Sequence, residues 1–506
     1  MKKNEKLLSI KNVINASIYL VGLVILFVAL FIDLEFDNVS FEQVLYNIIF
    51  AKGAKIDIVV SGLFFVVCAI AIVSLLVFII YKLVKSLKIK EKFFLKIKPK
   101  DITLLLFVFM FICIFLSYKI LGIDEYIDLQ IRSSDFIKNY YVDGRNVEIT
   151  FPKEKRNLIY IYIESLENAN ISKQNGGIME ESYIPNLEKL ALENLNFSNN
   201  SSIGGAYELN NTNWTMAALV AYTSGVPLKL SVGNNQYKGY GKSLPGVYSL
   251  GDILKENGYN NYFMIGSDAD FGGRKDYFKN HGDYTIYDYY YAIEKKYIEP
   301  DYHVWWGYED AKLFEFAKEK VLEISKSDEP FNFTILTVDT HYTDGYMDDT
   351  CEDKFDEVYA NAIYCSDSKV YSFVKWLMKQ DFYNNTTIII AGDHLTMQYD
   401  FYPYVPGFQR TIFNTFINSA EQTEYNKNRL FSTFDMFPTT LAALGVKIEG
   451  NRLGLGVNLF SGEKTLIEKH DIDYINNEIA KKSFFYDNII LGDSYYKMQD
   501  RIEAGT

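Results

Sequence analysis

The chain has 506 residues, which is too long for one ordinary domain and predicts about three structural units. Its formal net charge of −13 argues against nucleic acid as the main partner, because nucleic-acid binding relies on basic surfaces. Four cysteines are present. Cys68 and Cys113 fall in apolar segments, whereas Cys351 and Cys365 are close together in a polar region and could form a disulfide if that region is exported.

The first part of the chain contains three uncharged apolar runs. Each is near the roughly 20 residues that a helix needs to cross the hydrocarbon of a bilayer. A cleaved signal peptide is disfavoured, because two more runs follow the first. We therefore predict a membrane domain over residues 1–122 with three transmembrane helices, at 13–32, 58–80 and 102–118.

The charges of the loops predict how these helices are oriented. Lysines are frequent before the first run and between the second and third runs, whereas the loop after the first run is acidic. The positive-inside rule then places the N-terminus in the cytoplasm. An odd number of spans places everything after Tyr118 outside, so we expect a multi-pass cell-membrane protein with a large extracytoplasmic domain.

Beyond the third run the hydropathy pattern changes. A charged connector over 123–150 precedes a region, 151–463, in which apolar strands alternate with helical stretches. This alternation is typical of a mostly parallel sheet with helices on both faces, so we predict an α/β fold. Phe431–Leu444 is predicted to be a helix of the same domain, and 464–506 a C-terminal extension that forms a small separate lobe.

Titratable side chains follow three of the predicted strands. In open α/β sheets, ligands bind outside the carboxyl ends of the strands, so side chains at these ends are expected to share one crevice. Glu164 follows the predicted strand Asn157–Ile163. Asp339 and His341 follow Phe333–Val338, and Asp393 and His394 follow Thr387–Ala391.

Glu164, Asp393 and His394 together predict a metal site. Adjacent Asp and His ligands after a strand suit Mn²⁺, Mg²⁺ or Zn²⁺. A carboxylate after a strongly apolar strand must be paired, hydrogen-bonded or metal-bound to offset its desolvation. The alternatives are a distant ion pair for Glu164 and a purely structural role for the Asp-His pair.

Thr215 is a candidate nucleophile. It lies at a loop-to-helix junction, between NNTNW and MAALVAYTSGVPL. A helix N-terminus favours anions, and coordination to a metal would lower the pKa of the hydroxyl. The alternative is a helix cap or a packed residue, which is the usual role of a threonine.

Three further residues are candidates for binding the substrate. His341, in VDTHYTDG, would contact a phosphate oxygen or donate a proton to a leaving group, or else be a surface loop histidine. Arg274, in GSDADFGGRKDYF, follows a predicted strand and would hold an anionic oxygen. Asp339 would either support His341 or line the site.

Seven stretches occur in the order found in one known family: NLIYIYIESLE, NWTMAALVAYTSGVPL, LTVDTHYTDG, NAIYCSDSKV, IIIAGDHLTM, STFDMFPTTLAALGV and GNRLGLGVNLF. From Ile123 to Phe460 the chain thereby resembles the lipoteichoic acid synthase and phosphoglycerol transferase group of the alkaline phosphatase–sulfatase superfamily. It is most similar to the branch that contains the phosphoglycerol transferase of membrane-derived oligosaccharides.

The resemblance implies roles for individual residues. A Glu, a Thr, an Asp and a His of the family bind a divalent cation, usually Mn²⁺, and they match Glu164, Thr215, Asp393 and His394. The Thr is the family's nucleophile. A further His that contacts the phosphate matches His341, and an Arg near the donor headgroup matches Arg274.

Two departures from the family pattern bear on the product. The lipoteichoic acid synthases carry a Trp two residues before that Arg, where this chain has Gly272. They also usually have five spans, where three are predicted here. Both departures weaken the case for lipoteichoic acid polymerisation specifically.

The resemblance implies a membrane-anchored transferase. It would move glycerophosphate from phosphatidylglycerol in the lipid bilayer to a cell-envelope glycan or glycerophosphate acceptor, through a covalent phospho-threonine intermediate. A phosphoethanolamine transferase of the same superfamily is the enzymatic alternative. A sulfatase is disfavoured because none of the four cysteines lies in a C/S-x-P-x-R motif. The alternative from another class is a non-catalytic membrane-anchored glycan-binding protein.

Overall fold

The computed structural model describes residues 2–36, 39–52, 56–86, 99–230 and 243–492. Most of the lysine-rich loop used above to predict orientation, residues 87–98, lies outside the described residues. The chain divides into two compact units. One comprises Met1–Leu45 and Ala54–Leu129, and the other comprises Tyr46–Gly53 and Gln130–Thr506.

The described residues contain helices throughout both units. In chain order they are Lys2–Phe36, Phe41–Ile49, Ile56–Ser86, Pro99–Ile120, Ile123–Ile131, Phe136–Tyr140, Pro185–Glu193, Thr215–Ser224, Leu250–Glu256, Arg274–Asn280, Tyr289–Glu294, Asp310–Ile324, Val358–Leu377, Thr433–Ala443, Leu466–Lys469 and Ile472–Ala480.

Three of these helices are long and apolar enough to cross a membrane, over Ile10–Phe36, Asp57–Ile80 and Ile102–Ile120. The first and third pack closely, because a Cβ added at Gly22 would lie 3.2 Å from the Cα of Met110. Small residues and interhelical hydrogen bonds drive helix association in lipid.

The strands, numbered in chain order, are β1 Ile149–Thr150, β2 Asn157–Ile163, β3 Gly205–Ala206, β4 Asn260–Ile265, β5 Thr285–Tyr287, β6 Phe331–Leu336, β7 Thr386–Gly392, β8 Ile412–Ile417, β9 Lys447–Ile448, β10 Arg452–Leu453 and β11 Gly456–Val457. Seven of them form one sheet in the order β3-β8-β7-β2-β6-β4-β5. The run from β7 to β5 is parallel, and β8 and β3 each pair antiparallel with their neighbour. The predicted α/β class with a mostly parallel sheet is confirmed.

The central strand β2 alternates its side chains between two packed layers, as a pleated strand must. Ile159, Ile161 and Ile163 enter the main apolar cluster on one face. On the other face the Tyr162 ring lies 5.1 Å from the ring of Tyr222, which belongs to the helix Thr215–Ser224. This packing fixes that helix against the sheet, and with it the position of Thr215.

Strand β6 begins and ends two residues earlier than the predicted Phe333–Val338. The backbone N–H of Val338 donates to a carboxylate oxygen of Asp310 at 2.9 Å and not to a neighbouring strand. The chain therefore leaves the sheet before His341. The helix predicted over Phe431–Leu444 spans Thr433–Ala443, because the capping box of Ser432 and Asp435 begins it.

The described part of the predicted C-terminal extension belongs to the same compact unit as the sheet, and not to a separate lobe. The buried ammonium of Lys229 makes this connection. It donates at 2.5 to 3.0 Å to three carbonyl oxygens: those of Ile479, Ala480 and Lys481. Residues 493–506 of the extension lie outside the described residues.

Cys351 and Cys365 are joined by a disulfide, which settles the pairing that the sequence left open. Cys365 lies on the helix Val358–Leu377, and Cys351 lies in the loop before it. The bond therefore ties the long loop after His341 to the helix Val358–Leu377.

Candidate active site

Three candidate metal ligands meet at the carboxyl end of the central strands. Glu164 follows β2, and Asp393 and His394 follow β7, which pairs with β2 in parallel up to Ile163 and Gly392. One ligand atom from each of the three lies within 4.8 Å of the others. All three are at most 3% exposed, so the cluster is shielded from water.

The turn after β2 is held from both neighbouring strands. The N–H of Glu164 donates to Thr337 Oγ1 at 3.0 Å, and the carbonyl of Glu164 accepts from Thr340 Oγ1 at 2.6 Å. Ser165 has a φ of 57°, a left-handed conformation that costs energy in a residue with a Cβ. Its N–H donates to Asp393 Oδ1 at 2.8 Å, which links the turns after the two strands.

Thr215 joins this cluster from the first turn of its helix. The extended Trp214 precedes it as the N-cap residue. The hydroxyl of Thr215 donates to Glu164 Oε2 at 3.2 Å and lies 3.4 Å from His394 Nε2. The structure thus brings a hydroxyl, two carboxylates and an imidazole together at one point of the sheet edge.

The donor atoms of this cluster fit a divalent cation. The Nδ1 of His394 lies 2.8 Å from the carbonyl of Leu395, which can only accept, so Nδ1 carries the proton and Nε2 presents its lone pair in the neutral ring. Asp393 Oδ2 is buried 3.5 Å from His394 Nε2, and among the described residues it has no hydrogen-bond partner. A buried carboxylate oxygen without a hydrogen-bond partner among the described residues, beside an imidazole nitrogen that presents a lone pair, matches the needs of a metal ion.

The electrostatics of the cluster lead to the same conclusion. Burial and the charge of Glu164 raise the pKa of Asp393 to about 7. Burial opposes ionisation of Glu164 too, but His341 and His394 lower the pKa of that carboxyl to about 2. Although burial lowers the pKa of His394, the two carboxylates raise it to about 10. The cluster thus attracts positive charge strongly, and a proton on His394 is what balances it when a cation does not.

Arg274 lies at the start of the helix Arg274–Asn280 and is 6% exposed. Its Nη2 donates to the carbonyl of Asp268 at 3.0 Å, and its Nε, among the described residues, has no partner. Burial lowers its pKa to about 10, while Glu164 and Asp268 oppose that change. The guanidinium therefore stays charged at neutral pH, with one buried donor to offer an anion.

His341 follows β6 and contacts an aromatic side chain that the sequence analysis did not include. Its Nδ1 donates to the carbonyl of Tyr342 at 2.6 Å, which leaves Nε2 as an acceptor in the neutral ring. Burial lowers its pKa, against the opposing charge of Glu164. The ring centroid of Trp306 lies 4.6 Å from that of His341, and 5.5 Å from that of Phe271.

Trp306 supplies aromatic surface that Gly272 does not provide. Its indole Nε1 is buried and has no hydrogen-bond partner within the described ranges, like the Nε of Arg274. Trp305 and Trp306 are adjacent in a chain with only four tryptophans, and this pair was the signal that sequence reasoning overlooked. Two unpartnered N–H donors beside His341 make this wall of the site suited to anionic oxygens.

Asp339 supports the loop of His341 and does not line the site. Its carboxylate accepts from Lys369 Nζ at 2.8 Å and from the N–H of Asp310 at 3.1 Å. Lys369 also pairs with Asp348 at 2.7 Å. We refer to these four residues as the Lys369 network: Asp310, Asp339, Asp348 and Lys369.

The chain is also similar in sequence to known proteins. The Sulfatase family model matches residues 156–446. Phosphoglycerol transferase I of Escherichia coli O127:H6 is 31% identical over 372 residues, which is 69% of this chain and 46% of that protein. Phosphoglycerol transferase I of Escherichia fergusonii is 30% identical over 370 residues, with the same coverage of 69% and 46%. The chain thus spans about half the length of the curated relatives it matches.

Among solved structures, the integral membrane lipooligosaccharide phosphoethanolamine transferase A of Neisseria meningitidis is similar in fold. The TM-score is 0.50 at 14% identity, and the match covers 86% of this chain and 84% of that chain. At this identity the likeness concerns the fold alone.

Proposed function

Because this chain belongs to the sulfatase family of the alkaline phosphatase superfamily, we propose that it is a membrane-anchored phosphoglycerol transferase. The donor is phosphatidylglycerol, and the acceptor is a hydroxyl of a cell-envelope glycan or of a glycerophosphate chain. Identity of 31% to phosphoglycerol transferase I supports this choice among the reactions of the superfamily. The three apolar helices agree with a lipid substrate.

One observation carries the proposal: the Thr215 hydroxyl is hydrogen-bonded to a buried cluster of two carboxylates and a histidine. Glu164, Thr215, Asp393 and His394 would hold the metal, which we take to be Mn²⁺. A cation bound there would lower the pKa of the Thr215 hydroxyl and neutralise charge on the transferring phosphoryl group. The start of a helix adds backbone N–H groups that favour the same anion.

The reaction proceeds in two displacements at phosphorus. The Thr215 oxygen forms a bond to the donor phosphorus, and the bond from phosphorus to the diacylglycerol oxygen breaks. In the second step the acceptor oxygen bonds to phosphorus and the Thr215 oxygen leaves. The phosphorus is a phosphodiester with one negative charge in the donor, in the intermediate and in the product.

The protons move through His341. Its lowered pKa keeps the ring neutral, with Nε2 free to accept the proton of the acceptor hydroxyl in the second step. That proton then passes to the Thr215 oxygen as it leaves. In the first step the proton that Thr215 loses passes through the same nitrogen to the departing diacylglycerol oxygen. Arg274 holds a non-bridging phosphate oxygen through its Nε–H, which has no partner in the part of the chain that the structure describes.

We place the N-terminus in the cytoplasm and the catalytic domain outside the membrane. The positive-inside rule supports this orientation. The disulfide between Cys351 and Cys365 supports it independently, because disulfides persist in oxidising compartments.

The test is mass spectrometry of the full-length protein in detergent after incubation with phosphatidylglycerol and Mn²⁺. We expect a glycerophosphate adduct on Thr215, and none in Thr215→Ala, while Thr215→Ser should still be labelled. An adduct from phosphatidylethanolamine alone would keep the mechanism and change the donor. No adduct from either lipid, in protein that binds no metal, would favour a non-catalytic glycan-binding protein instead.

A further inference from the structure

The segment Tyr46–Lys52 lies between the first two predicted spans in the sequence, yet it belongs to the same compact unit as the central sheet. In the sequence this region is distinguished only as part of an acidic loop. Tyr46 is 3% exposed, although it is flanked on its helix by the exposed Asn47 and Ile48. A buried tyrosine in a short interspan loop indicates a specific contact within that unit.

The contact is with the loop that carries Arg274. The hydroxyl of Tyr46 donates to the carbonyl of Gly272 at 2.8 Å, and the N–H of Gly272 donates to the carbonyl of Phe50 at 3.3 Å. Both backbone polar groups of Gly272 are therefore bonded to this segment. Lys52 adds an ion pair with Asp270 in the same loop.

The loop needs such support because of its backbone. Gly272 and Gly273 have φ values of 66° and 72°, two consecutive left-handed residues directly before Arg274. Glycine loses more conformational freedom on ordering than any other residue, so this turn is weakly fixed by its own preferences. The Phe50 ring covers it, since a Cβ added at Gly273 would lie 3.2 Å from that ring.

Tyr46 also reaches the nucleophile side of the site. Its ring centroid lies 6.0 Å from that of Trp214, the residue immediately before Thr215. One side chain thus contacts both the loop that ends at Arg274 and the N-cap of the helix that begins at Thr215. Tyr46 therefore bridges the loop before the Arg274 guanidinium and the start of the helix that carries the Thr215 hydroxyl.

We infer that the Tyr46–Lys52 segment is a positioning element that sets Arg274 against the donor phosphate, so that the catalytic domain is complete only with this interspan segment. The inference rests on the proposed function for the identity of the donor. Tyr46 touches neither metal ligand nor substrate in this scheme and acts through Arg274. Its hydroxyl is the part that holds the Gly272 carbonyl in place.

The test is a double-mutant cycle in the full-length protein in detergent, using Tyr46→Phe and Arg274→Ala. Phe keeps the ring on Trp214 and removes the hydroxyl that donates to Gly272, so we expect the fold to be retained. We expect Tyr46→Phe to weaken glycerol phosphate binding by about tenfold and to raise the KM for phosphatidylglycerol similarly, with unchanged metal content. In the Arg274→Ala background the same change should have no further effect. The exposed Asn47→Ala is the matched control and should bind as the wild type does.

Two outcomes would overturn the inference. One is wild-type glycerol phosphate affinity in Tyr46→Phe. The other is an equal loss in the presence and absence of Arg274, which would indicate a general structural effect. Binding of glycerol phosphate needs no turnover. A wild-type chain that binds it but does not consume phosphatidylglycerol would contradict the proposed function, while the double-mutant cycle on binding would still test the positioning role of Tyr46.

Discussion

Replacing Lys369 by Met should destabilise the protein in a manner that depends strongly on pH. Lys369 is the cation of the Lys369 network, and its side chain is 10% exposed. Burial raises the pKa of Asp339 to about 6 even with Lys369 opposing it. Burial and the neighbouring Asp339 raise the pKa of Asp310 well above its ordinary value. Met retains the length and apolar volume of the lysine side chain and removes only its charge.

The size and sign of the effect follow from these groups. Removing one partner of a buried ion pair costs about 3–5 kcal/mol, because the other charge is left uncompensated. An acid whose folded pKa is raised contributes stability at low pH that is lost as pH rises through that pKa. Without Lys369 the pKa of Asp339 rises further. The variant therefore loses the full roughly 3–5 kcal/mol of unfolding free energy near pH 8, and only roughly 1–2 kcal/mol near pH 5, where the carboxyls are protonated.

The assay is thermal unfolding of the full-length protein in detergent at both pH values. A cost of this size corresponds to a fall in Tm of roughly 4–6 °C at pH 8 for a domain of several hundred residues, because the entropy of unfolding grows with chain length. Lys375→Met on the exposed side of the same helix is the matched control and should shift Tm little. A loss that is the same at both pH values, or absent at pH 8, would refute the electrostatic reasoning.

Three further predictions concern the metal, the anion site and the disulfide. Removal of metal with EDTA should lower the Tm of the wild type, and Mn²⁺ should restore it, whereas the Tm of His394→Ala should respond to neither. If calorimetry shows that Mn²⁺ raises the Tm of His394→Ala as much as that of the wild type, the assignment of His394 as a ligand is wrong. Arg274→Lys should raise the KM for the donor about tenfold at unchanged metal content, because a lysine cannot reproduce the guanidinium fork, and an unchanged KM would argue against that contact. Reducing the disulfide between Cys351 and Cys365, which are separated by 14 residues, should cost about 3 kcal/mol in unfolding experiments. The double Cys→Ser variant should show the same loss and no response to dithiothreitol, and a variant as stable as the wild type would oppose the assignment.

The sequence predicted much of this arrangement because parallel strands impose it. Asn157–Ile163 matches β2 in both bounds, and the Asp-His pair follows β7 as expected. Since carboxyl ends of neighbouring parallel strands share an edge, the pattern of apolar runs was sufficient to bring Glu164, Asp393 and His394 together. Their roles as metal ligands, and that of Thr215 as nucleophile, stay predictions.

The pattern of apolar runs does not predict contacts between side chains that are far apart in sequence. Trp306 approaches His341 from a loop that no hydropathy pattern distinguishes. Lys369 is one of many lysines on amphipathic helices, and only the fold shows that it faces buried carboxylates. The end of β6 was predicted two residues too late, because apolar residues such as Val338 continue past the point where a side chain takes over their backbone hydrogen bonds.

The bond between Tyr46 and Gly272 also has a consequence for biosynthesis. Its partners are separated by 226 residues, so the first is made long before the second. At translation rates of about 5–20 residues per second, Tyr46 waits roughly 10–45 s for its partner to emerge. The loop before Arg274 is thus completed by a segment that is made well before it, and a chain translated from the connector onward would lack the hydrogen-bond partner of the Gly272 carbonyl.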